Sequence, residues 1–419
     1  MTACATPDNR SNEVVDLRVL QLVWLAAAIF IVSAGYGALM SLLPTWLISK
    51  MPDSSSSEVA RQIGFLSGVY AFGVLAGAPL WGFLGDRIGQ SRVLIIGLIG
   101  HSASLILLLL PSLAGLLELY ALRATSGFFL AAVLPVVTAL VAEHTPEQQR
   151  ARRFAWFSAM SLVGFLFGPA LSVVARWIGS LLGKTVNLVV DPFQMLIVLS
   201  ALLGAVVMLG LLTSLPTVRV QKSLVAKVSE KSSKTNLTPL LWLNGVLMLV
   251  LASFELSIVL LGQSQTSAST NRAGLMLAEC SLVMLGINAL LFFTSLLKKV
   301  SASILICVGL ILAMVGLVVL ALHQSNAAMY LGVSMTSAGT GLVLPVIAYL
   351  SAGTVRQHLG VTMGSLSAAA GLGQTLGSSI GGWLFAAIGQ NGFAWQALPL
   401  GLVLILMLTR PWGLSLKVE

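Results

Sequence analysis

The chain has 419 residues, of which 57% are hydrophobic and only 9% charged. A water-soluble domain carries about 25% charged residues because its surface must be hydrated, so this composition excludes a soluble globular protein. The formal net charge of +9 does not require a nucleic-acid partner, since basic loops beside anionic lipid headgroups account for it.

Crossing a hydrocarbon layer about 30 Å thick takes about 20 apolar residues in a helix. Residues 1–18 are polar and mixed in charge, without the basic start, short apolar core and small-residue cleavage site of a signal peptide. The apolar runs then predict helix 1 over Leu20–Leu43, stopped by Pro44, helix 2 over Gly64–Leu84 and helix 3 over Val93–Leu110. Helix 4 is expected at Leu113–Val141, helix 5 at Phe154–Ile178 and helix 6 at Gln194–Leu215. The longest polar stretch, Thr217–Thr238, follows with five Lys or Arg and four Ser. Helices 7 to 12 are expected at Pro239–Leu261, Ala273–Leu297, Ser301–Leu322, Ala327–Leu350, Val361–Ile388 and Phe393–Leu408. The fold class is therefore an all-α membrane protein of twelve spans. Six lie in residues 1–216 and six in 239–419, joined by a basic linker, 217–238.

Charge sets the expected orientation. With both ends on one side, that side collects 17 of the 23 Lys and Arg, the other side holds 5, and Arg123 falls inside the membrane. Lys and Arg favour cytoplasmic loops, so both termini and the linker are expected in the cytoplasm, with the protein multi-pass in the cytoplasmic (inner) membrane.

The halves look like copies. Leu134-Pro135-Val136 reappears as Leu344-Pro345-Val346, offset by 210, and Gly164 and Gly168 as Gly373 and Gly377, offset by 209. Both offsets are half the chain length.

Between helices 2 and 3 runs Gly82-Phe83-Leu84-Gly85-Asp86-Arg87-Ile88-Gly89-Gln90-Ser91-Arg92, a glycine-rich turn carrying Asp-Arg. It resembles the signature loop of the major facilitator superfamily, whose pattern is G-x-L-(A/G)-D-(R/K)-x-G-(R/K)-(R/K). Gly82, Leu84, Gly85, Asp86, Arg87 and Gly89 match, whereas Gln90 and Ser91 replace two basic residues and Arg92 follows. Leu122-Arg123-Ala124-Thr125-Ser126-Gly127 is similar to the family's R-x-x-x-G element in helix 4. Glu143-His144-Thr145-Pro146-Glu147, with Arg150, is similar to its acidic-Pro-Arg loop. Gly164-Phe165-Leu166-Phe167-Gly168-Pro169 resembles the G-x-x-x-G-P element of exporters, chiefly drug/proton antiporters, although Leu171 and Ser172 stand where further glycines usually follow. The resemblance covers essentially the whole chain. It implies two parallel six-helix halves with the substrate site at their interface. It also implies that Arg123 is linked to proton coupling, and it places Tyr36, Met40, Tyr70 and Gln374 as cavity-lining candidates. Helix 1 lacks the acidic residue of many drug antiporters.

Each element has a physical reading beside the resemblance. Asp86 can accept from exposed N–H groups at a helix start, where the dipole favours negative charge, with helix 11 as the expected partner. Arg87 or Arg92 can reach Glu143. Together these form a cytoplasmic latch between the halves, or alternatively a static loop staple. Gly164 and Gly168 make a small-x-x-x-small face for close helix approach, and Pro169 removes a backbone bond.

Charged groups inside a membrane are costly and are functional candidates by default. Arg123 lies about 13–15 Å into helix 4 and His101 about 12 Å into helix 3 at 1.5 Å per residue. Glu255, late in helix 7, and Glu279, early in helix 8, are expected at similar depth in the outer half. Two carboxyls at one depth can share a proton, because an apolar surrounding and mutual repulsion both penalise two negative charges. Each is therefore a candidate proton carrier, with a structural or substrate-contacting Glu as the alternative. Arg123 can instead bind an anionic substrate or pair with Glu118. Asn244 lies eleven residues before Glu255, about 20° apart around a helix, and both are expected to face the cavity.

Cys4, Cys280 and Cys307 show no metal spacing and no disulfide framework. No phosphate-binding glycine loop, H-E-x-x-H or G-x-S-x-G occurs. The expectation is thus a non-enzymatic, monomeric transporter without cofactor, driven by the proton gradient. Its cargo would be a small organic molecule such as a drug, siderophore or other metabolite. The alternatives are a proton-coupled importer of the same fold and a non-transporting membrane receptor.

Overall fold

The computed structural model describes residues 18–110, 115–133, 136–137, 140–141, 147–186, 191–214, 237–264, 269–294, 300–354 and 359–409. Among these, the first half contributes α1 (Val19–Lys50), α2 (Ser56–Ile88), α3 (Gln90–Leu107), α4 (Leu116–Leu130), α5 (Glu147–Val186) and α6 (Pro192–Ser214). The second contributes α7 (Thr238–Ser264), α8 (Ser269–Thr294), α9 (Ala302–Leu322), α10 (Asn326–Thr354), α11 (Leu359–Ile388) and α12 (Gly392–Thr409). Ten stretches of the described residues are long and apolar enough to cross a membrane. The last, Ser365–Thr409, takes in both α11 and α12. The all-α membrane architecture expected from hydropathy is therefore what the chain forms. The linker 217–238 lies outside the described residues except at its last two positions, as do Leu134, Pro135 and Glu143; the side chain of Asp86 is likewise outside them.

Most helices run past their apolar runs. Helix 2 begins at Ser56, not Gly64, because Ser55 caps it by accepting from the Glu58 N–H at 3.2 Å. Helix 5 starts at Glu147 and ends at Val186, well beyond Phe154–Ile178. Polar turns outside the hydrocarbon continue a helix at little cost, and hydropathy does not register them. Pro44 does not stop helix 1, which continues to Lys50. A proline removes one backbone bond, and this one sits in a run buried from Ala38 to Pro44 whose packing holds the helix together. Helix 4 departs in the other direction. Its first stretch ends at Leu130 in a tight turn, in which Ala132 N–H donates to Phe129 O and Val133 N–H to Leu130 O, and 136–137 and 140–141 are helical again. Pro135 has no N–H to donate to the Ala131 carbonyl, which disfavours an uninterrupted helix here.

The helix contacts repeat with a period of six. In the first half α1 packs on α5 and α6, α2 on α4, and α3 on α4 and α6. In the second half α7 packs on α11 and α12, α8 on α10, and α9 on α10 and α12. The glycines paired by the sequence offset take matching places. A methyl group on Gly168 would lie 2.8 Å from Gly37 of α1, and one on Gly377 would lie 2.8 Å from Leu249 of α7. The small-residue faces of α5 and α11 thus do the same work against the same neighbour in each half.

Two seams join the halves, α2 on α11 and α5 on α8. In the first, Gly64 and Gly68 meet Gly382 and Thr375, and Leu75 meets Gly371. In the second, Pro169 meets Gly274. These contacts run from the face away from the termini toward mid-membrane. The large apolar core follows them, because it combines Leu39–Leu47 of α1 and Val59–Leu66 of α2 with Leu247–Leu261 of α7. The smaller core, on the termini side, draws only on the first half, from Leu25 to Leu211. Toward that side a methyl group on Gly82 would meet nothing within 4 Å, and one on Gly85 only Gln90 of its own loop. Among the described residues, the close glycine contacts between the halves lie between the far face and mid-membrane.

Candidate functional site

A small, partly open cleft lies within the first half, where α1, α2, α3, α4 and α6 converge. Its electrostatic centre is Arg123, only 2% exposed. The approach of α4 to α2 places it there. Gly127 lies so close to Tyr70 that a methyl group would come within 3.0 Å of the Tyr70 carbonyl carbon. One turn earlier on the same face, the Arg123 guanidinium carbon sits 4.5 Å from the Tyr70 ring centroid. The Arg and the Gly of the R-x-x-x-G element therefore act together, the glycine setting the distance and the arginine facing the ring.

Tyr70 stacks on Tyr36 of α1 with centroids 5.3 Å apart, and Tyr36 in turn lies 5.9 Å from Phe165 of α5. Arg123, Tyr70, Tyr36 and Phe165 thus form a continuous line of side chains within the first half. His101 lines the same cleft, with Nδ1 3.1 Å from both the hydroxyl and the carbonyl oxygen of Ser126. Ser102, Ser126 and Ser200 add hydroxyls to the lining.

The other expected site residues are spread around this centre. Met40 does not line the cleft: it is buried in the main core, where its sulfur accepts from the Ser67 hydroxyl at 3.6 Å. Asn244 is buried and its Nδ2 donates to the Leu366 carbonyl at 2.8 Å, tying α7 to α11. Gln374 is half-buried on α11 and also lies outside the cleft lining. Glu279 accepts from Ser334 of α10 at 2.5 Å through Oε1, while its Oε2 is buried without a partner among the described residues. Glu255 and Glu279 both lie within electrostatic range of Cys280. Glu118 folds back toward Gly115 at the start of α4, whereas Arg123 faces Tyr70.

At the termini face, α2 and α3 are joined through Gly89, whose φ of 95° lies in the region that favours glycine. Arg87 is exposed and stacks over Phe83 at 4.2 Å, and Arg92 is exposed. Pro169 and its two glycines sit where α5 meets α1 and α8.

Sequence reasoning did not single out Ser102 or Ser200. Each is one small polar residue in a long apolar helix, and only the tertiary arrangement brings both to the cleft that Arg123 lines. Ser126 carried a signal, since it follows Arg123 by three positions and so shares its helix face.

Comparison with known proteins agrees with this architecture. The family model described as Major Facilitator Superfamily matches residues 25–288. Quinolone resistance protein NorA of Staphylococcus aureus is 28% identical over 151 residues, 36% of this chain and 37% of that protein. The class B tetracycline resistance protein of Escherichia coli is 35% identical over 137 residues, 33% of each chain. The chain therefore spans little more than a third of the length of the curated relatives it matches. The crystal structure of the human organic anion transporter MFSD10 (TETRAN) superposes with a TM-score of 0.68 at 18% identity. That match covers 93% of this chain and 99% of that one, a likeness of fold. Together with the membrane-length helices, these matches establish that the chain is an integral, multi-pass membrane protein belonging to the Major Facilitator Superfamily, a family of transporters and not of enzymes.

Proposed function

We propose that the protein is a proton-coupled secondary transporter that exports a small organic molecule by alternating access. The observation that supports this reading is the seam, whose close contacts among the described residues lie between the far face and mid-membrane. A transporter of this type needs contacts that hold in one state and are absent in the other. With the termini in the cytoplasm, as the 17-to-5 distribution of basic residues favours, this arrangement faces inward and is ready to take cargo from the cell.

In this reading residues 1–216 and 239–419 rock against each other, with 217–238 as a basic cytoplasmic linker. The Asp86 loop, with Arg87, Arg92 and Glu143, closes the cytoplasmic side in the opposite state. Gly82 and Gly85, which meet nothing from the other half among the described residues, leave room for α11 to approach. Glu255 or Glu279 carries the proton, and the aromatic pair Tyr36–Tyr70 stacks beside Arg123. The exporter-like Gly168-Pro169 and the resistance-protein relatives favour a toxic compound or a self-made metabolite such as a siderophore as cargo. The protein acts as a monomer in the cytoplasmic membrane.

Untargeted mass spectrometry of medium and cell contents, comparing a deletion strain with its complemented parent, tests this function. A compound missing outside and accumulated inside the deletion strain is expected. A medium component left unconsumed would overturn export in favour of import.

A further inference from the structure

Among the described residues that line its cleft, Arg123 meets no counter-charge. Its Nε and Nη2 are buried without hydrogen-bond partners among the described residues, and none of the residues lining the cleft is acidic. Taking a cation out of water costs several kcal/mol even after the protein relaxes. The Tyr70 ring returns about 2 kcal/mol or more through its face, which offsets part of that penalty. Arg123 lines a polar niche, and a guanidinium with unpartnered donors suits one kind of partner, a planar anion that accepts two parallel N–H bonds.

The niche is dressed for such a group. Ser102 of α3, Ser126 of α4 and Ser200 of α6 place hydroxyls around it, and a methyl group on Gly204 would crowd the Ser102 hydroxyl at 3.1 Å. His101, Tyr36 and Tyr70 also line it, and the rest of the wall is aliphatic or glycine. The cleft is small, so it takes a functional group and not a whole molecule. We infer that this cleft is the subsite for a carboxylate, or a monoanion of similar shape, carried by the transported molecule, with Arg123 as its counter-ion. The inference deepens the transporter reading and rests on it by naming the substrate class as organic monoanions.

The test uses the purified full-length protein in lipid nanodiscs and two probes of the same shape, 1-naphthoate and neutral 1-naphthamide. Binding is followed by calorimetry and by the ligand-induced rise in Tm. Naphthoate is expected to bind at least about ten-fold more tightly than the amide, and Arg123→Gln should bring the two within about two-fold, a tenfold ratio being worth about 1.4 kcal/mol. Equal binding of both probes to the unaltered protein, or binding of neither, would overturn the inference, as would a preference that survives in Arg123→Gln. If that variant does not fold, Ser200→Leu fills the cleft from α6 and leaves Arg123 in place. It should lose the preference, and a folded Ser200→Leu protein that keeps it refutes the subsite. The assay needs no turnover. A protein that exports cargo from cells but ignores the probe's charge refutes only this inference. One that prefers naphthoate but moves nothing refutes only the transport reading.

Discussion

Gly64 of α2 and Gly382 of α11 meet backbone to backbone across the two halves, so that a methyl group placed on Gly64 would lie 2.7 Å from the Gly382 Cα. Backbone cannot swing aside as a flexible side chain can, and so the fit allows only hydrogen at both positions. Overpacking of this kind costs about 1–3 kcal/mol. Gly64→Val should therefore weaken the seal at the far face and shift the population toward the opposite state. A Ser378→Cys reporter beside the seam should then react several-fold faster with a maleimide applied from that face. An unchanged labelling rate in the valine variant would mean that the seam does not hold this state.

The loop at the other face supplies a second prediction. A carboxylate near a helix start contributes up to about 2 kcal/mol in partly buried geometry. If Asp86 docks on α11 when the cytoplasmic side closes, Asp86→Asn should cut transport by about ten-fold or more while membrane abundance stays normal. Normal turnover in Asp86→Asn would sink the latch and leave a static staple.

Glu255→Gln and Glu279→Gln separate proton coupling from cargo binding. The variant that loses the carrier should fail at uphill, pH-driven transport yet still exchange labelled for unlabelled cargo across a vesicle. Unchanged accumulation in both variants would remove both carboxyls from the coupling step. Glu279 has the added test of its Ser334 contact, because Ser334→Ala should mimic a weak Glu279 phenotype if the pair acts as a unit.

Arg123→Lys retains the charge but loses the flat fork of donors that faces Tyr70. Transport should fall by about ten-fold or more, since a bidentate charged contact is worth about 1.5–3 kcal/mol. Full activity in the lysine variant would demote Arg123 to a structural charge.

Gly89 offers a prediction that depends on backbone alone. With φ at 95°, an L side chain there is strained by about 1–2 kcal/mol. Gly89→Ala should lower Tm by a few degrees, whereas Gly82→Ala, with open space around it in this state, should leave Tm nearly unchanged. Equal destabilisation by the two would contradict the turn geometry.

The helices were legible because a membrane-crossing segment must be apolar for most of its length, a constraint with no soluble counterpart. Their ends were not, since the cap at Ser55 and the polar turns from Glu147 lie outside the hydrocarbon. The six-helix period could also be seen in the sequence, through the glycines of α5 and α11. The neighbours across the cleft could not. Tyr70 and Arg123 are 53 positions apart on different helices, and of Met40 and Tyr36, one turn apart on α1 and both packed in the large core, only Tyr36 lines the cleft. An apolar helix gives almost no sequence signal about which of its faces meets which neighbour, because lipid and protein interior demand similar side chains.

The doubled seam has a mechanical consequence. Shifting each helix number by six turns the α2–α11 joint into the α8–α5 joint, so the two joints are copies of one another. Two pins side by side leave a body one easy rotation, about the line through both, and resist sliding and twisting. The molecule then has a single soft coordinate. In the proposed exporter, cargo and protons need only tilt the balance along that one axis, and a lesion at either pin should loosen the motion in the same direction.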